Sequence, residues 1–273
     1  MKRGERSSAP PLLPFVLRQA SPHDCDGISE LAEHLDAINL PREPGAVEAL
    51  IDRSDRSFAG EMPRERGRYL FVLEDLETRR IVGTSMIIAA HGTTDEPHHY
   101  LRLDNEERYS SSLRKLVRHR TLTFRTTFTP HTELGALILH PAYRGRPEKL
   151  GKMLSYVRFL YIGAFRSRFE DELQAELLPP FEPDGSSLLW QWLGHKCTGL
   201  SYAEADRLSR TNHEFMRSLF PREKLYVTFM PRDVQEVIGA VGPATRGVAR
   251  MLEQVGFRFN GNIDPFDGGP HYA

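Results

Sequence analysis

Short apolar runs of strand length alternate along this chain with stretches in which apolar residues recur every three or four positions. That alternation predicts a mixed α/β sheet with helical covers. Phe15 to Arg18 reads as an opening strand. Gly27 to Asp36 reads as a helix that Asp24 or Asp26 can cap, and Pro44 to Arg53 as a second helix with Ala46, Leu50 and Ile51 on one side. Tyr69 to Leu73 and Ile81 to Ala90 are apolar, β-branched runs joined by the polar piece EDLETRR, which predicts a hairpin. From His91 to Arg125 the pattern is polar, with HGTTDEPHHY and the basic SLRKLVRHRTLTFR; it reads as a solvated face or an insertion on the substrate side. Leu173 to Leu178 returns to strand character, LLPPFEPDG is a loop, and SSLLWQWLG is a helix carrying both tryptophans into the core.

The most informative run is ELGALILHPAYRGRPEKLGKML, Glu133 to Leu154. Leu134, Leu137, Ile138 and Leu139 form a buried strand that Pro141 must end near His140. Arg144, Gly145 and Arg146 make a turn, and Pro147 suits a first helical position, where its missing N–H costs nothing. Leu150, Met153, Leu154, Val157, Leu160, Tyr161 and Ala164 then draw the stripe of an amphipathic helix. Free N–H groups at a helix start, with the helix dipole, Arg144 and Arg146 nearby, form an anion site that can take a pyrophosphate. Lys152, one turn in, either meets a phosphate or faces solvent.

This order of strand, proline, aromatic, Arg-Gly, second glycine and helix resembles the acyl-CoA site of the Gcn5-related N-acetyltransferase superfamily. Here the elements are Leu139, Pro141, Tyr143, Arg144, Gly145 and Gly151, with a wider glycine spacing than is usual there. FVLRQASPHDCDGISELAEHL resembles the opening strand, turn and helix of that fold. ARMLEQVGFRF resembles its late helix and Gly-Phe strand entry, with Gly256 placed to terminate the helix. The fold implied is α/β, a central mixed β-sheet flanked by helices.

Composition narrows the class further. The 273 residues carry 36 basic and 37 acidic side chains, so no global field points to nucleic acid or membrane. No run approaches the roughly 18 apolar residues of a membrane span. Cys25 and Cys197 are too few for a disulfide framework or a zinc site, which suits a reduced cytoplasm. Cys197 lies two residues from His195, but the segment reads as a helix end and the cysteine as structural. Residues 1–13 read as a disordered leader, since PPLLPF is too short and proline-rich for a signal-peptide core. Residues 14–273 read as one acyltransferase domain, or as two similar halves with the second from about 170.

A narrower resemblance spans most of the chain. YLFVLEDLETRRIVGTSMI, LLWQWLGHKCTGLSYAEADRL, FMPRDVQEVIGAV and GFRFNGNIDPFDGGP are similar, in order, to stretches of bacterial arginine N-succinyltransferases. The resemblance implies transfer of succinyl from succinyl-CoA to the α-amine of arginine in arginine catabolism, with no permanently bound cofactor or metal. It aligns Leu137 with a leucine that contacts succinyl-CoA. It also exposes departures. The family's proton-donor histidine falls on Gly242, and its substrate loop is here TTFTPHTEL, with His131 at a shifted place. These departures admit a different amine acceptor, or a non-catalytic acyl-CoA-binding partner in a homo- or hetero-oligomer.

The reaction itself names the remaining candidates. An ammonium cannot attack a thioester, so a base must take its proton, and Glu133, His140 and His131 are the candidates. Tyr143 or Tyr226 can protonate the leaving thiolate, although each also reads as a core tyrosine. Asp264 and Asp267 can pair with a guanidinium or ammonium, or form a turn before Gly268 and Gly269.

Overall fold

Among the residues described by the computed structural model, which are 14–33, 40–41, 44–209 and 212–273, ten strands join in one sheet. The expected leader and the last residues of the first expected helix lie outside the described residues. The strands are β1 (Phe15–Gln19), β2 (Arg68–Asp75), β3 (Arg80–His91), β4 (His98–Ser110), β5 (Lys115–Thr127), β6 (His131–Leu139), β7 (Leu173–Glu176), β8 (Leu225–Tyr226), β9 (Phe259–Ile263) and β10 (Pro270–Tyr272). Their spatial order is β1-β2-β3-β6-β7-β10-β9-β4-β5-β8, and β6 with β7 is the parallel pair.

Helices α1 (Cys25–Glu33) and α2 (Pro44–Ala59) cover one face of the first half, where Ile28, Leu31, Val47 and Ile51 pack on Leu70, Val72, Met86 and Ile138. Ser21 caps the entry to α1: its N–H and hydroxyl donate to Asp24 at 2.7 and 2.9 Å, and Arg18 pairs with the same carboxylate. On the opposite face lie α3 (Leu150–Ala164) and α8 (Arg246–Gln254), whose Ile162 and Leu252 pack against Tyr69, Phe71, Ile87 and Leu134. Helix α8 ends as expected at Gly256, with φ 108°, and the N–H groups of Gly256 and Phe257 donate to Glu253 and Leu252.

The second half is covered by α4 (His195–Thr198), α5 (Tyr202–Ser209), α6 (Glu214–Leu219) and α7 (Arg232–Val237). Its core is built round Trp190, stacked on Phe266 at 5.0 Å and packed with Leu101, Leu122 and Ile263. The expected tryptophan helix contains a π-turn, Trp190–Gly194, before α4. A Cβ at Gly194 would lie 2.2 Å from the Trp190 ring, so a glycine is required there.

Three expectations change. The polar region after His91 folds into the long β4–β5 hairpin, whose outer residues are solvated on both faces and therefore show no alternation. Helix α3 starts at Leu150 rather than Pro147, behind Lys149 at φ 55°. Its buried face runs through Leu150, Leu154, Ser155, Arg158 and Ile162, whereas Leu160 is 74% exposed.

Candidate active site

Strand β6 leads directly into the anion corner. It ends at Leu139, and a turn of 3-10 helix, Pro141–Tyr143, leads to Gly145 at φ 71°. A Cβ at Gly145 would meet nothing within 4 Å, and one at Gly151 only Leu139 at 4.0 Å, so the corner is open. Lys152 donates its N–H back to Lys149 at 2.8 Å, which leaves Leu150 and Gly151 as the outward donors of the first helical turn. Arg144 folds onto the carbonyl of Leu139 at 3.1 Å, and Arg146 lies over the rings of Phe15 and Tyr143 at 5.3 and 5.2 Å. His140 accepts the N–H of Ala142 on Nδ1 at 3.2 Å.

Upstream, β6 carries a bulge. Thr84 faces Ile138 and Met86 faces Gly135, so two residues of β6 oppose one of β3, and Ala136 takes φ 45°. The Thr84 hydroxyl donates to the Ala136 carbonyl at 3.0 Å and fixes the distortion. On the other edge, parallel pairing covers Thr132–Leu173 and Glu133–Gln174, and the residues of β7 beyond it turn to β10. Main-chain groups from the bulge to Leu139 thus border a gap between β6 and β7. Under the bulge lies Arg158, only 1% exposed, whose guanidinium donates to Ser155 O and Ser155 Oγ, both at 3.2 Å, and to Gly135 O at 3.5 Å. Burial pushes this arginine down to about 10.

At the N-terminal end of β6, alternation sends His131 and Glu133 to the face opposite α3. There they meet His91 from β3, His98 from β4, Glu176 from β7 and His271 from β10. The His98 ring lies 4.8 Å from His91, 5.0 Å from His131 and 5.3 Å from His271. Glu133, 2% exposed, places Oε2 2.5 Å from His91 Nδ1. Burial works to raise this carboxyl, but His91, His131 and Arg68 together hold it down to about 2. Burial also holds His131 down to about 4 and His271 to about 3, while burial and Glu133 push Glu176 well up.

A family model described as the arginine N-succinyltransferase beta subunit matches residues 15–273. An arginine N-succinyltransferase from Shigella boydii serotype 18 is 34% identical over 259 residues, spanning 94% of this chain and 74% of its own length. One from Escherichia coli O17:K52:H18 is 33% identical over the same spans. The chain belongs to the arginine N-succinyltransferase family. The solved arginine/ornithine succinyltransferase subunit AI of Pseudomonas aeruginosa superposes with a TM-score of 0.82 at 27% identity, over 94% of this chain and 76% of that one. The protein is therefore an acyltransferase, built as expected on a mixed β-sheet flanked by helices.

Against the arginine N-succinyltransferase pattern, Gly242 is a closed position. Its N–H donates to Leu178 O at 2.8 Å, and a Cβ would lie 2.3 Å from Pro179 O. Asp264 accepts the N–H groups of Phe266 and Asp267, and Asp267 accepts that of Gly269, so both hold the terminal turn. Tyr143 donates to Asp75 at 2.9 Å, and Tyr226 contacts Arg108 and Glu106 at the far sheet edge, away from the β6–β7 gap. Burial raises the Cys197 thiol, and His195 turns its Nδ1 to Leu200 O, so the two form no nucleophile pair. Surface cavities of about 320 Å³ beside Arg18 and Asp24, and about 420 Å³ beside Asp171 and Phe257, lie outside this arrangement. Among the described residues, no helix is long and apolar enough to cross a membrane.

Sequence reasoning missed His91, His98, Glu176, His271 and Arg158. The histidines converge only through the sheet order. Arg158 had a local signal: it stands four residues after Leu154 on a buried helix face, where a charge is unusual.

Proposed function

We propose that this protein transfers succinyl from succinyl-CoA to the α-amine of arginine, as part of cytoplasmic arginine catabolism. The observation that carries the reading is the open gap beside bulged β6, with main-chain donors at the α3 start and, at the other end of β6, Glu133 paired with His91 of β3. The diphosphate sits on the N–H groups of Leu150 and Gly151, with Arg144, Arg146 and Lys152 around the turn at Gly145. Pantetheine amides pair with the edge of β6 along Leu137 and Leu139. Arg158 meets the free carboxylate of the succinyl group.

Glu133 stays ionised, and a carboxylate held near 2 is a weak proton acceptor by itself. Its role is to orient His91, which takes the ammonium proton; the neutral amine then attacks the thioester, and backbone N–H groups at the bulge steady the oxyanion. The leaving thiolate takes its proton from solvent, because Tyr143 and Tyr226 are engaged elsewhere. His140 serves the carrier turn and His131 lines the acceptor side. Asp264, pushed up to about 6 chiefly by burial, is ionised at neutral pH and favours a cationic acceptor, while Asp267 supports the turn.

A thiol-release assay tests the reading. Turnover with succinyl-CoA and arginine, faster than with acetyl-CoA, is expected, and Arg158→Met should remove the preference between the two thioesters. Gly242 and TTFTPHTEL favour one rival, a different small amine as acceptor, and turnover only with other amines would select it. CoA binding with no turnover on any amine would overturn the enzyme reading in favour of a non-catalytic partner subunit.

A further inference from the structure

The proposed transfer leaves a group of side chains unused as acid or base: buried His98 and His271 with half-buried Glu176, brought together from β4, β10 and β7. His98 Nδ1 lies 3.7 Å from Glu176 Oε1, and His271 Nε2 lies 3.6 Å from the same oxygen. The three ligand atoms are all within 4.8 Å of one another. Both separations are too long for hydrogen bonds. His271 is 0% exposed, and neither of its ring nitrogens has a hydrogen-bond partner; the buried Nε2 of His131, on the other side of His98, has none either. Buried imidazole nitrogens are ordinarily satisfied, so a fully buried His271 whose Nε2 faces a carboxylate without bonding to it requires a reason.

Metal chemistry supplies one. Ligands about 2.0–2.2 Å from a tetrahedral ion stand about 3.3 Å apart, a few tenths of an ångström inside the two histidine–carboxylate spacings found here. Two imidazoles and a carboxylate form a donor set suited to zinc and its first-row neighbours rather than to calcium or magnesium. We propose that His98 Nδ1, His271 Nε2 and Glu176 Oε1 bind one divalent first-row transition-metal ion, zinc fitting best, with the fourth position left to water on the side of His131. Gln174, 3.4 Å from His98 Nε2 and 3.3 Å from Glu176 Oε1, provides the outer contact that orients both ligands. The ion ties β4, β7 and β10 together where the two halves of the sheet join, and holds its water next to the Glu133–His91 pair. This departs from the expectation of no metal, because the HHY of β4 and the terminal histidine meet only when β7, β10, β9 and β4 lie side by side.

The test uses the untagged full chain, stripped with chelator and then equilibrated with zinc, and reads metal content, titration heat and the visible spectrum after cobalt substitution. Turnover is not read, so the result stands apart from the fate of the succinyl reading. One retained ion per chain is expected, with cobalt bands of a low-coordinate nitrogen and oxygen site. His271→Gln and Glu176→Gln should each weaken binding by at least about tenfold, while His119→Gln, on the far β5 edge of the sheet, leaves it unchanged. No heat and no retained ion in the native chain would overturn the site, as would unchanged affinity in His271→Gln. If the variants fail to fold, the native cobalt spectrum decides: a fully aqueous spectrum refutes the proposal.

Discussion

At its C-terminal end β6 runs into a turn whose useful groups are main-chain N–H donors, open to solvent and contiguous in sequence; at its N-terminal end it meets titratable side chains from four other strands, mostly buried. The contrast teaches how the two substrates differ in what they demand. A diphosphate is satisfied by any well-formed helix start with positive charge nearby, and 13 residues from Leu139 to Gly151 provide it. An amine that must lose a proton needs groups of tuned charge, and tuning requires burial and neighbours. On the proposed reading the carrier end is therefore built from backbone and the acceptor end from tertiary contacts.

The largest effect expected from breaking this division is at Glu133. Replacing it with Gln keeps the size but removes the charge that orients His91. We expect kcat to fall by about 10² to 10⁴ with the dissociation constant for CoA unchanged. His91→Gln should match it, and the double variant should cost little more than either single one, because the two act as a unit. Steady-state kinetics with CoA titration check this. Unchanged turnover in Glu133→Gln would remove the pair from the mechanism, and weakened CoA binding would show that the two ends of the strand are not separate.

The same division explains what the sequence disclosed. The β6–turn–α3 unit was legible because strand, proline, glycine and helical stripe are local signals; the errors there were a helix start expected at Pro147 and found at Leu150, and Leu160 placed in the buried stripe. The helix end at Gly256 was visible for the same reason, whereas the cap expected at Asp24 or Asp26 is Ser21, with Asp24 as its capping-box partner. The histidine cluster was not, since His91, His98, His131 and His271 are spread over 180 residues and only the order β3-β6-β7-β10-β9-β4 joins them. The β4–β5 hairpin escaped because a strand solvated on both faces has no period to read.

Next in size comes Gly242, where the family's histidine is missing. Restoring it by Gly242→His should not raise activity: any Cβ there enters the backbone of Leu178 and Pro179, so the loop must shift. Overpacking of this kind costs about 1–3 kcal/mol, which thermal denaturation will report as a lower Tm. A variant that folds at the native Tm and turns over faster would mean that the acceptor end still keeps the family's donor position open.

Asp264 separates a turn-forming carboxylate from a substrate ligand. Its pKa is raised to about 6, so the folded state binds a proton that the unfolded state releases near 3.8. The associated stability is therefore present below about pH 3.8 and is lost as pH rises through about 6. Asp264→Asn keeps an oxygen for the N–H groups of Phe266 and Asp267 without the buried charge. The variant should gain about 1–2 kcal/mol over the native chain between pH 4 and 7, after allowance for partial solvent access. Denaturant titrations across that range measure it. A flat difference would place the carboxylate in a more polar setting, and a large rise in KM for the amine would make it a substrate contact as well.

The smallest effect is expected at Gly145, on the carrier side. Its φ of 71° disfavours any side chain, yet a Cβ there has nothing within 4 Å to strike. Gly145→Ala should therefore cost only the left-handed backbone preference, about 1 kcal/mol. In the free enzyme the turn can relax to negative φ, and binding of the diphosphate must restore it. The cost should thus appear as a roughly fivefold rise in KM for succinyl-CoA, with kcat at saturation unchanged and the Tm nearly native. If kcat fell instead, the turn would be positioning the thioester for attack as well as holding the diphosphate, and the carrier end would share in the chemistry assigned to Glu133 and His91.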